Sequence, residues 1–129
     1  MAAVTVGTLR PDTVPGYEVN DKGQAATAIT KGQLLIITAG TPAGGFDKVW
    51  DKATAGALEA HGIALGDAAA GALVSVGLQG EMDGFTGLIQ GSGLYPSGSL
   101  AGGIDTSLPA GATTRIRAVT TTRIRYAFV

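Results

Sequence analysis

The chain contains no cysteine. That excludes disulfide frameworks, thiolate metal sites and thiol nucleophiles. It has one histidine, His61, and a lone imidazole with no cysteine or local carboxylate pair makes a poor metal site. Aromatics are scarce, confined to Tyr17, Phe46, Trp50, Phe85, Tyr95, Tyr126 and Phe128. The apolar fraction of 45% is largely small, much of it alanine. Small side chains bury little area each, at about 25 cal/mol per Å². A chain of 129 residues reads as one domain that buries roughly two-thirds of its unfolded surface, but with a thin core. Burial against identical copies or a larger partner would compensate. There is no basic excess. A net charge of −1 argues against a nonspecific nucleic-acid binder. No apolar run approaches the ~20 residues needed to span a membrane. The opening MAAVTVGTLRPD lacks the basic and apolar regions of a secretory signal. The expectation is a soluble protein made in the cytosol, with no membrane partner.

What is present is small-residue strand patterning. Residues 1–24 read as an extended N-terminal arm, since Pro11, Pro15, Gly16 and Gly23 break any helix; it is either a frayed terminus or a segment that orders by adding a strand to a partner. Val4 and Val6 alternate with Thr5 and Gly7 as a short edge strand. Residues 25–129 read as a β-rich domain. Leu34–Thr38 is a strand rich in branched residues after the Lys31-Gly32 turn. Asp51–Ala60 is ambiguous: alanine favours helix, whereas Gly56 and the short length oppose it. His61–Leu65 reads as a strand. In GALVSVGLQGEMDGFTGLIQGSGLYPSGSLAGGI, Gly71 to Ile104, Val74 and Val76 give a period-2 strand that Gly80 is expected to stop. A short Leu94-Tyr95 strand follows. At the C-terminus TTRIR occurs twice, at 113–117 and 121–125. Both copies set arginine on one strand face and isoleucine on the other, as two strands of a hairpin or bent ribbon.

The order G-x-x-V-x-V, then G-x-x-x-Y, then G-G-I across Gly71–Ile104, with the phrase A-I-T-K-G-Q-L-L at 28–35, resembles the capsid cement (head decoration) proteins of tailed bacteriophages. The resemblance covers roughly Ala25 to Val129. It implies a mainly β, small single-domain barrel- or sandwich-like fold, with an extended N-terminal arm and at most one short helix. It implies a structural protein, not an enzyme, that needs no cofactor. Its partners would be the major capsid protein and itself, as a homotrimer on the outer surface of an expanded head. Its place would be the virion. The arm would add to capsid contact by strand addition, through Val4, Val6, Leu9, Arg10, Val14 and Tyr17. Tyr95 and Gly102-Gly103 match structural positions of that family, and the doubled TTRIR ending departs from its commoner pattern.

Individual residues are weighed against plainer roles. The cluster Arg115, Arg117, Arg123 and Arg125 suits docking on an acidic surface or an intersubunit face; its plainer role is a solvated strand face that blocks aggregation. No aromatic stripe interleaves these arginines as nucleic-acid binding would require. Glu81 and Asp83 in EMDG read as a polar turn, without the oxygens calcium demands. His61 has no G-x-S-x-G partner elbow. The glycines of 91–103 match no phosphate cradle. Two rival functions remain. Asp51-Lys52-Ala53 resembles the hairpin-tip lysine of lipoyl carrier domains, which would make Lys52 a modification site. A head-fibre or adhesion module would bind glycans, for which few exposed aromatics are available.

Overall fold

The computed structural model describes residues 4–12, 17–55, 59–107 and 115–128. Ten strands are present: β1 Thr5–Asp12, β2 Val19–Ala25, β3 Leu34–Thr38, β4 Val49–Lys52, β5 Gly62–Ala64, β6 Leu73–Thr86, β7 Gly93–Pro96, β8 Ile104–Asp105, β9 Ile116–Ala118 and β10 Arg123–Ala127. They form one sheet, and no helix occurs among the described residues. The mainly β, sandwich-like fold expected from the sequence is what the chain adopts. The alanine-rich stretch after Asp51 resolves as the end of β4 followed by irregular chain; its residues 56–58 lie outside the described set.

The long strand β6 organises the molecule. β2 pairs with its first half and β1 with its second half, both antiparallel. β5 and β10 also pair with β6, again antiparallel. The sheet closes on itself where β2 joins β4, β4 joins β3, β3 joins β5 and β5 returns to β6. Residues of this circuit build one core cluster around the fully buried Trp50, with Leu35, Val74 and Val76. A second, larger cluster joins Leu34, Ile63, Met82, Phe85, Ile116, Ile124 and Tyr126. Fully burying one such side chain is worth about 1.5–3 kcal/mol.

Gly80 does not end its strand. β6 runs through it because Tyr126 on β10 lies directly opposite. A methyl group at Gly80 would fall 2.8 Å from the Tyr126 hydroxyl oxygen, so the ring occupies the space a side chain would take. Gly84 supplies the other irregularity. Its φ of 107° suits glycine, and its N–H and that of Phe85 both donate to Thr122 O, at 3.1 and 3.0 Å. Opposite it the β1 register slips: Arg10 faces Asp83, but Val6 faces Phe85. This β-bulge lets Met82 and Phe85, three positions apart, both reach the core with Leu9. A strict period of two would have put one of them outside.

The segment expected as an arm is extended. Its two strands lie along β6 of the same chain, and Leu9 is 5% exposed. No helix among the described residues is long and apolar enough to cross a membrane.

Candidate functional site

The alternation in the C-terminal echo places its side chains as the sequence indicates. In the β9–β10 hairpin, Ile116 pairs with Tyr126 and Ala118 with Ile124, all buried. Arg117 pairs with Arg125 on the opposite, exposed face. Thr113 and Thr114 of the first copy lie outside the described residues, as does Val14 of the arm.

The arginines meet two acids of β6. Asp83 faces Arg10 on one side and Arg123 on the other; Glu81 faces Arg125. The EMDG segment is therefore mid-strand and not a turn. Its acids share a face, and flanking arginines supply the counter-charge. Arg125 donates from Nε at 2.7 Å and Nη2 at 2.5 Å to Glu81 Oε2. Arg123 Nη1 stands 3.6 Å from Oε1 of the same carboxylate, and Glu81 is only 6% exposed. Arg10 Nη2 donates to Asp83 Oδ2 at 2.8 Å. The Thr122 hydroxyl, then the Gly84 N–H and Arg10, hold the Asp83 carboxyl below its ordinary value of 3.8.

Tyr17, named in the sequence as part of the arm, joins this face. Its hydroxyl donates to Tyr126 O at 3.4 Å, and the Arg125 guanidinium stands 4.8 Å above its ring, a cation–π distance. Burial, then the charge of Glu18, pushes the Tyr126 phenol up to about 12. A cleft of about 280 Å³ opens here, lined by Tyr17, Arg115, Arg117, Arg125 and the hairpin backbone beneath them. Arg117 Nη1 donates to the Gly91 carbonyl at 2.8 Å. Among the described residues no carboxylate pairs with Arg115 or Arg117.

The remaining arm residues sit elsewhere. Val4, Val6 and Leu9 line a separate, mostly apolar cleft together with Phe85, Leu100 and Ile104. Val4 N–H donates to Ile104 O at 3.0 Å there. Val6 is exposed, whereas Leu9 is held in the chain's own core. Sequence reading missed this cleft, since the bulge that turns Leu9 inward depends on a glycine in a distant strand.

The other singled-out residues have ordinary roles. His61 Nδ1 accepts from the Ile37 N–H at 2.9 Å, which puts the neutral ring's proton on Nε2. Lys52 ends β4 opposite Leu35, at the far end of the β3–β4 ladder from the loop that joins them, and its Nζ donates to Ala28 O at 3.3 Å. A lipoyl lysine belongs at a hairpin tip, and this one is not there. Every aromatic ring is buried or half-buried, so none is spread open for stacking on sugars. No group of three His, Cys, Asp or Glu side chains that could hold a metal exists among the described residues. Compared with known proteins, the chain matches no family model and no curated protein.

Proposed function

We propose that this chain is a structural decoration protein. It binds the outer surface of an expanded phage head and ties neighbouring major capsid subunits together, most naturally as a homotrimer. The reading begins from the small-residue pattern over Gly71–Ile104 and its likeness to capsid cement proteins. The observation that carries it is the arginine face of the β9–β10 hairpin. Two of its guanidinium groups lack a carboxylate partner among the described residues, in a chain whose overall charge is −1. Exposed arginine forks concentrated on one patch suit a protein surface bearing carboxylates. A protein that binds the assembled lattice and not its separated subunits stabilises the lattice by mass action, and many weak contacts multiply through multivalency.

The test is co-sedimentation of the purified protein with expanded and unexpanded capsid shells from its source. Saturable binding to expanded shells alone is expected, with a fixed copy number per shell. Absence of binding to both forms, at low and moderate salt, would defeat the proposal.

A further inference from the structure

Arg117 and Arg125 stand directly opposite each other on adjacent antiparallel strands. Like charges in that position repel and destabilise a sheet. Arg125 is relieved by Glu81. Among the described residues Arg117 is held by a neutral carbonyl, Gly91 O, and Arg115 lines the same cleft. The cleft therefore concentrates positive charge that no carboxylate among the described residues compensates, at a spot where three of its walls are already fixed. Tyr17 is tethered through its hydroxyl, Arg125 through Glu81 and the Tyr17 ring, and Arg117 through Gly91. Groups ordered in advance lose little freedom on binding.

We infer that the cleft bounded by Tyr17, Arg115, Arg117 and Arg125 is a binding site for a carboxylate, the side chain of an aspartate or glutamate on a partner protein. The inference rests on the decoration reading for the source of that carboxylate and on the cleft for its chemistry. Three features favour a single carboxylate over a nucleic-acid backbone. The cleft is small, about 280 Å³. The chain as a whole carries a charge of −1, without the basic excess that a polyanion binder ordinarily shows. The same face already holds one carboxylate: Glu81 sits in the guanidinium pair of Arg125 and Arg123, and an incoming acid would repeat that arrangement one strand further out, on Arg117 and Arg115.

The experiment titrates the full chain with a blocked tetrapeptide of two glutamates between glycines, following the arginine Nε–Hε resonances by NMR at low salt. The controls are the matching glutamine peptide, inorganic phosphate and a short single-stranded oligonucleotide. Expected is a saturable shift of the Arg115 and Arg117 signals with the glutamate peptide, none with the glutamine peptide, and at least tenfold weaker binding in the Arg115→Ala/Arg117→Ala variant. Both positions are exposed, and unchanged amide spectra of the variant establish that it folds. No saturable shift with the glutamate peptide, or tighter binding of the oligonucleotide or phosphate, overturns the inference. The double variant is then sedimented with expanded shells. If the wild-type chain binds shells and the variant binds equally, the cleft is not the contact and the inference fails while the decoration reading stands. If the wild-type chain binds the peptide but no shell, the decoration reading fails and the carboxylate site remains.

Discussion

Gly80 and Tyr126 form one packing unit, a position without a side chain and the ring that fills it. The nearest atom to an added methyl at 80 is the Tyr126 hydroxyl oxygen, at 2.8 Å, with Cζ next at 3.2 Å. Gly80→Ala is therefore expected to cost about 1–3 kcal/mol, as overpacking does. Tyr126→Phe removes the first atom the methyl would meet. In chemical denaturation the double variant is expected to be more stable than the sum of the single changes, by at least roughly 0.5 kcal/mol of coupling. Strict additivity would show that the hydroxyl is not what the methyl strikes. The glycine was visible in the sequence, and glycine inside a strand is ordinarily a weakening. What fills it comes from the last strand, and no local pattern connects the two. The same limit hid the Gly84 bulge, whose partner carbonyl belongs to Thr122.

β6 carries acids on the face where β1 and β10 carry arginines, and this cross-strand matching converts a turn-like composition into a strand. Asp and Gly together read as a turn because each favours one; Arg10, Arg123 and Arg125 on the neighbouring strands supply the counter-charge to Glu81 and Asp83. The arginine–isoleucine alternation of the final hairpin was legible because it is local, with a period of two. That the hairpin would dock its arginines on Glu81 and Asp83 was not, since register between distant strands is set by packing. A pH dependence follows. The folded Asp83 carboxyl lies below its ordinary 3.8, so it contributes stability that is complete above that value. The contribution is lost as pH falls through the lower, folded value. Asp21 behaves alike, lowered chiefly by the Lys48 ammonium at 2.6 Å. Urea midpoints measured from pH 5 down to about 2 should fall in the wild-type chain, and fall less steeply in Asp83→Asn. Parallel curves would show that Asp83 makes no net contribution to the folded state.

At the scale of the whole molecule, the first strand is paired with β6 of its own chain. Individual strands of the domain were legible, though not their order: Leu34–Thr38 matches its reading residue for residue, and β5 and β7 coincide with the readings at His61–Leu65 and Leu94-Tyr95. The closure of the sheet through a parallel β2–β4 pairing was not legible, because it joins the N-terminal segment to the middle of the chain with no periodic signal. That closure, with the β1–β6 ladder, is why the N-terminal segment belongs to the domain. β1 pairs with β6 along one edge; exchanging β6 for a partner strand would leave an unpaired edge on β6 and withdraw Leu9 from the core. Emptying such a core position costs about 2–5 kcal/mol. Deleting residues 1–16 is therefore expected to lower the melting temperature by roughly 6 °C or more, taking about 3 °C per kcal/mol for a chain of this size. Val6→Ser, at an exposed position of the same strand, should change it little. If the deletion leaves the melting temperature unchanged, β1 is held too weakly by β6 to resist exchange, and a partner strand can take its place at little cost. A large drop means that β1 is an integral strand of the folded domain and stays on β6.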